Sequence, residues 1–147
     1  MKISVITVCY NAVDTIAETL ESVAAQRYHD VEHIVIDGAS TDRTIEIVEH
    51  YADTVKQVLS EPDRGVYDAM NKGIRHSTGE ILYFFNSDDR LYNPYIIRDV
   101  VEFFKRKKVD FVYGDVINDI SDKKELRLGR YPRIMMKRYF LRNTIAH

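Results

Sequence analysis

The chain has 147 residues, 45% hydrophobic and 30% charged, with a formal net charge of −2, which is the balance of a globular protein long enough to build a core without staples. The single cysteine, Cys9, excludes an internal disulfide framework and a multi-cysteine zinc site. No apolar run reaches the ~18 residues of a membrane span, and the opening MKISVITVCYNA meets polar Asn11 too soon for a secretory leader and reads as a first strand.

Ile3–Cys9 is a nearly continuous run of branched apolar residues, the pattern of a strand buried on both faces. Thr15 and Glu18 match a capping box, and Ile16, Leu20, Val23 and Ala24 follow at helical spacing, predicting a helix over about 15–27. A second strand is predicted at 32–37. The turn Gly38-Ala-Ser-Thr-Asp42 then leads to a helix at about 43–51, with Asp14 and Asp42 read as caps. Residues 54–60 form a third strand, 62–65 a loop and 66–76 a helix, with Gly79 placed as a left-handed cap after it. Residues 80–85 form a fourth strand and break off at Asn86-Ser87-Asp88-Asp89. Pro94 opens a helix over 95–107, and 110–116 is predicted as a fifth strand. Beyond it the pattern is less regular, with a strand at 125–128 and a short helix at 135–141. Strands alternating with helices every 20–30 residues give an α/β fold with a mostly parallel sheet flanked by helices, in one domain spanning 1–147.

The charge is uneven. Residues 123–142 carry eight Lys or Arg against Glu125 alone. Such a segment suggests a specific anionic contact rather than bulk nucleic-acid binding, or else a solvated helix face.

In an open parallel sheet, ligands sit outside the carboxyl ends of the strands. The predicted strands end there at Tyr10-Asn11, Asp37, Glu61-Pro62-Asp63, Asp88-Asp89 and Asp115. Two like charges ~4 Å apart cost about 4 kcal/mol at an effective dielectric of 20, so an acidic rim of this kind points to a bound cation. Oxygen-only surroundings favour Mg²⁺ or Mn²⁺, which bind one or two carboxylates together with substrate phosphates. The sequence has neither a Walker A motif nor Gly-x-Gly-x-x-Gly. A nucleoside diphosphate would therefore lean on the metal and on basic side chains.

Four blocks resemble glycosyltransferase family 2, whose members have the GT-A fold. They are Ser4-Val-Ile-Thr-Val-Cys-Tyr-Asn11, Val35-Ile-Asp-Gly-Ala-Ser-Thr-Asp42, Glu61-Pro-Asp-Arg-Gly-Val-Tyr-Asp-Ala-Met-Asn-Lys-Gly73 and Thr78-Gly-Glu-Ile-Leu-Tyr-Phe-Phe-Asn-Ser-Asp-Asp89. Phe111-Val-Tyr-Gly-Asp115 and Ile145-Ala-His147 resemble family features less specifically. The resemblance implies inverting, metal-dependent transfer of a sugar from a nucleotide sugar, UDP-linked by expectation, to an acceptor hydroxyl in polysaccharide assembly. It implies that residues 1–90 bind the nucleotide and that 91–147 begin the acceptor half. Asp37 would accept a hydrogen bond from the base, Tyr10 would pack against it, and Asp88 would lie toward the ribose. Asp89 would hold Mn²⁺ or Mg²⁺, and Asp63 and Arg64 would lie in the loop over the nucleotide. Asn71 and Lys72 are expected to hold their helix in place rather than touch substrate.

The family's general base comes from beyond the segment matched by Ile145-Ala-His147, so no base is assigned and the chain reads as an N-terminal portion of a longer enzyme. Asp115, the one in-range acid at the rim, is expected to shape the acceptor side, and His147 is a further candidate ligand. The acceptor would be a saccharide or a lipid-linked saccharide. The protein would be cytoplasmic, with 123–142 free to meet an anionic membrane face. Two other classes compete: a module that binds nucleotide without turnover, and a receiver-like signalling domain. A receiver needs its acid pair after the first strand, where this chain has Tyr10-Asn11.

Overall fold

The computed structural model describes residues 1–107, 109–120 and 125–129. The chain divides into two compact units, Met1–Lys108 and Val109–His147.

The first unit is a four-stranded parallel sheet flanked by helices. Its strands are β1 (Ile3–Cys9), β2 (Val31–Asp37), β3 (Val55–Ser60) and β4 (Ile81–Asn86), in the order β3-β2-β1-β4. All seven residues of β1 are buried, because it is hydrogen-bonded on both edges and covered on both faces. The sheet therefore grows outward from the most apolar segment of the chain.

Alternation along the strands sorts the core. Helices α1 (Ile16–Ala24), α2 (Thr44–Glu49) and α4 (Ile96–Lys107) cover one face, where Ile16, Leu20 and Val48 meet Cys9, Val35 and Val55, and Ile97 and Val101 meet Ile3, Val5, Ile81 and Phe85. Helix α3 (Val66–His76) covers the other, seating Ala69 and Met70 against Ile6, Val8, Ile34 and Ile36.

The amino-end edge of the sheet is closed by a buried carboxylate. Glu32, 4% exposed, accepts hydrogen bonds from the Ser4 hydroxyl, the Thr78 hydroxyl at 2.8 Å and the Gly79 amide at 3.1 Å, and pairs with Lys2. Burial pushes its carboxyl up, but the bonds from Lys2, Ser4 and Thr78 outweigh that and hold it at about 2. Gly79 is not a left-handed cap. Helix α3 ends at extended Ser77, and a Cβ on Gly79 would lie 2.6 Å from the Ser4 backbone nitrogen, so the residue is glycine to let the chain press against β1. The capping box is also absent. The Thr15 side chain makes no cap bond to the start of α1.

In the second unit, β5 (Val116–Ile120) pairs antiparallel with β6 (Glu125–Gly129). The strand at 125–128 is thus present, whereas 110–115 is not a strand and Asp115 does not end a fifth parallel one. Only Phe111, Val112 and Tyr113 separate Asp110 from Gly114, too short an apolar run for burial on two faces. Residues 116–120 instead find a partner a few positions further along the chain. The helix expected at 135–141, His147 and, apart from β6, the basic segment lie outside the described residues.

Candidate functional site

Because all four strands run parallel, their carboxyl ends share one edge. The chain adds β2 and β3 on one side of β1, then returns to place β4 on the other, so the strand order reverses at β1. Such a reversal opens a crevice for ligands. Cys9 is in register with Asp37 and Val8 with Asn86. At ~4.8 Å per strand, the tips of β2 and β4 stand roughly 10 Å apart, on either side of Tyr10.

On the β2 side, Tyr10 is 63% exposed and its ring edge lies over Gly38. Half-buried Asp63 reaches the same place. A Cβ on Gly38 would lie 2.6 Å from Asp63 Oδ2 and 3.3 Å from the Tyr10 ring, so this position has no room for a side chain. Asp63 Oδ1 accepts from the Gly65 amide at 2.7 Å, which fixes the bend into α3. Arg64 is exposed and pairs with Asp68 at 3.6 Å. Lys72 is buried, donating to the Pro62 carbonyl at 2.7 Å and pairing with Glu61 at 2.9 Å. It holds the loop onto α3, as expected, and Asn71 is exposed.

Asp37 is buried, and its carboxylate is occupied from within the chain. Oδ2 accepts from the Ser40 amide at 2.9 Å and the Ser60 hydroxyl at 2.6 Å, and Oδ1 accepts from the Ser40 hydroxyl and the Cys9 thiol. The thiol is pushed far up by burial and then by the Asp37 charge, so it stays protonated.

The loops after β1 and β2 are bonded to each other. Ser40 Oγ accepts from the Asn11 amide at 2.8 Å, Asn11 Oδ1 from the Thr41 amide at 2.9 Å, Thr44 Oγ1 from the Ala12 amide at 2.8 Å, and Asp42 from the Val13 amide at 3.2 Å. Asp42 also accepts from the Thr44 amide that opens α2. The hydrogen bonds from Thr44 lower its carboxyl below the ordinary range. Asp42 is nevertheless not the cap that the sequence suggested: the N-cap of α2 is Arg43, with no side-chain cap bond, and Asp42 sits one residue before it, tying the turn to the first helical amide.

On the β4 side, Asp88 and Asp89 are exposed at the rim. Asp89 Oδ2 accepts from the Asn86 side-chain amide at 3.1 Å, and its backbone amide bonds the Asn86 carbonyl at 3.2 Å. Partial burial and then the charge of Asp88 raise the Asp89 carboxyl above its ordinary value. An Asp89 carboxylate raised beside the charge of Asp88, in a pair that offers only oxygen donors, fits a hard divalent cation. Among the described residues no group of three or more His, Cys, Asp or Glu converges.

Sequence reasoning missed the support beneath this turn. Thr19 is 1% exposed, and its hydroxyl lies 2.9 Å from the Ser87 carbonyl and 2.8 Å from that of Asp89. One turn on, Ser22 Oγ accepts from the Leu91 amide at 3.1 Å. Gln26 then bonds the Asn93 carbonyl at 2.8 Å and the Ile97 amide at 3.1 Å. The available signal was a threonine inside the apolar stripe of α1, where a buried hydroxyl must find a partner.

This edge, with an aromatic and an acid at one tip and an acidic doublet at the other, defines a Rossmann-like α/β unit of the GT-A type. Residues 4–146 match Glycosyl transferase family 2, and the chain belongs to that family. It is 44% identical over 101 residues to an uncharacterized glycosyltransferase of Mycobacterium tuberculosis, an alignment covering 68% of this chain and 38% of that protein. Among solved structures it is similar to S. aureus TarS 1-349 in complex with UDP-GlcNAc (32% identity, TM-score 0.69, 75% of this chain and 33% of that one). It is also similar to the mannosyltransferase PcManGT from Pyrobaculum calidifontis in complex with GDP-Man and Mn²⁺ (30% identity, TM-score 0.68, 74% and 33%). The chain thus spans well under half the length of these relatives. Family membership sets aside the receiver-like reading. Among the described residues no helix is long and apolar enough to cross a membrane.

Proposed function

We propose that this chain is the donor-binding part of an inverting glycosyltransferase that uses a divalent cation and a nucleotide sugar, with UDP as the nucleotide. The observation that carries the reading is the placement of Tyr10, Gly38 and Asp63 at one tip and Asp88-Asp89 at another, on one edge and flanking the reversal point of the sheet. The complexes of TarS with UDP-GlcNAc and of PcManGT with GDP-Man and Mn²⁺ support it by similarity.

In this reading the base packs on the exposed Tyr10 ring beside Asp63. Asp37 holds the turn beneath it, and a direct bond from the base to Asp37 requires the Ser40 or Ser60 hydroxyl to turn away. Asp88 faces the ribose, and Asp89 holds Mn²⁺ or Mg²⁺. When bound, the ion supplies Lewis-acid stabilisation of charge growing on the departing diphosphate. Exposed Arg64 stands where a basic side chain can approach the phosphates.

The acceptor, a saccharide or lipid-linked saccharide, belongs to the side that begins after residue 90, where Asp115 is the candidate acid. Residues 123–142 carry the charge for an anionic, cytoplasmic membrane face, and that contact weakens as salt rises.

Calorimetry with UDP tests the reading. Binding is expected to tighten at least tenfold when Mn²⁺ is added, and Asp89→Asn is expected to abolish that gain while leaving metal-free affinity within about threefold. UDP binding indifferent to Mn²⁺ would remove the cation from the proposal, and no UDP binding at all would remove the donor site.

A further inference from the structure

We propose that Thr19 is a positioning residue for the acidic doublet: from the buried face of α1 it clips both ends of the Asp88-Asp89 dipeptide and so sets the aim of the cation-binding carboxylates. The inference rests on the reading of that doublet as a divalent-cation site. The Thr19 hydroxyl lies within 3 Å of the Ser87 carbonyl, in the peptide entering Asp88, and of the Asp89 carbonyl, in the peptide leaving Asp89. One hydroxyl hydrogen is shared between two acceptors, so the two peptide planes are held against a single point of a rigid helix.

Two further restraints act on the turn: Arg90, next after the doublet, pairs with Glu18 of α1 at 3.1 Å, and the other is local. Asn86 takes the Asp89 amide and donates to its carboxylate. Without Thr19, two carbonyls would lose their donor under an exposed turn, and the pair of like charges would be free to splay apart. The other contacts of the α1 stripe, at Ser22 and Gln26, grip residues 91–97 beyond the doublet. They serve as a built-in control on the same helix and the same loop, with Ser22 accepting from the Leu91 amide where Thr19 donates to carbonyls, and with their bonds to that loop falling at 91–97 rather than 87–89.

The test compares Thr19→Val, Thr19→Ser, Ser22→Ala and Asp89→Asn with the unaltered protein. Mn²⁺ affinity is read by electron paramagnetic resonance of free MnCl₂, UDP affinity without metal by calorimetry, and fold by thermal melting. Thr19→Val is expected to weaken Mn²⁺ binding roughly tenfold, the range of a lost support behind a metal ligand. Metal-free UDP affinity should change less than twofold, Thr19→Ser should return Mn²⁺ affinity to within threefold, and Ser22→Ala should lower the melting temperature without changing Mn²⁺ affinity.

Mn²⁺ affinity of Thr19→Val within twofold of the unaltered protein overturns the proposal, as does an equal loss in Ser22→Ala. If Thr19→Val does not fold, Thr19→Ala is read against the same thresholds. If the unaltered protein and Asp89→Asn bind Mn²⁺ alike, the cation site itself is misplaced and the inference falls with it. That result is separate from one in which only Thr19 proves indifferent.

Discussion

The two ends of the parallel sheet treat negative charge in opposite ways. At the amino end, Glu32 is sealed among Ser4, Thr78, Gly79 and Lys2, and its carboxyl is held at about 2. At the carboxyl end, Asp88 and Asp89 stand exposed, and Asp89 is raised rather than lowered. The first carboxylate has its counter-charge and donors inside the fold, so it acts as a fastener joining the starts of β1, β2 and β4. The second pair is held more lightly, with the Asn86 side-chain amide on Asp89 at 3.1 Å, and under the proposed function it is left for a ligand to complete. A carboxylate's partners, more than its exposure or its place in a motif, mark Glu32 as the structural acid of this comparison.

The strongest way to break the contrast is to remove the fastener. Glu32→Ala strands the amide and hydroxyl donors of residues 4, 78 and 79 and leaves Lys2 without its partner. It is expected to lower the unfolding free energy in urea by about 3 kcal/mol. A loss under 1 kcal/mol would mean that water substitutes for the carboxylate.

Acid titration sharpens the comparison further. His33, one residue after Glu32 and on the opposite face, is 2% exposed, bonded through Nε2 to Thr7 at 2.8 Å, and lowered by burial to about 4. The unfolded chain binds that proton near 6.5, so stability falls as pH drops from about 6.5 to 4, by about 3 kcal/mol in all. The contribution of Glu32 survives that window and is lost only below about 4.5, toward 2. In His33→Gln, urea midpoints measured from pH 7 to 4 should lose most of the upper-window slope.

The smallest expected effect on stability lies at the other rim. Asp89→Asn removes a like-charge neighbour at an exposed position and should leave the unfolding free energy within about 0.5 kcal/mol, even as the response to Mn²⁺ disappears. A loss comparable to that of Glu32→Ala would show that the doublet is structural after all.

Much of the first unit was legible in the sequence. The apolar run 3–9 and the spacing of Ile16, Leu20 and Val23 encode burial directly, and α3 begins and ends where its pattern does. Less legible was anything decided by a partner far along the chain. Glycine at 79 follows from the backbone of Ser4, 75 residues earlier, and the closure of Asp37 depends on Ser60. Thr19 looked like an ordinary helix residue until Ser87 and Asp89 came beneath it. Residues 110–115 failed as a strand because composition alone does not reveal that 125–129 offers a nearer pairing partner. Tyr10, Asp37, Asp63 and the Asp88-Asp89 pair do follow parallel strands at one edge, whereas Asp115 does not, and the internal hydrogen bonding of Asp37 became visible only in three dimensions.

The stitching between the loops after β1 and β2 has a practical meaning for anyone wishing to exchange segments at this edge of the sheet. Asn11, Ala12 and Val13 each lean on a side chain from residues 40–44, and Asn11 and Ala39 both sit in left-handed backbone, at φ 48° and 62°. A segment borrowed from a relative at only one of these places would arrive without its counterpart and leave amides on the other unmatched. The two stretches form one cassette, and grafting should move residues 10–13 and 38–44 together.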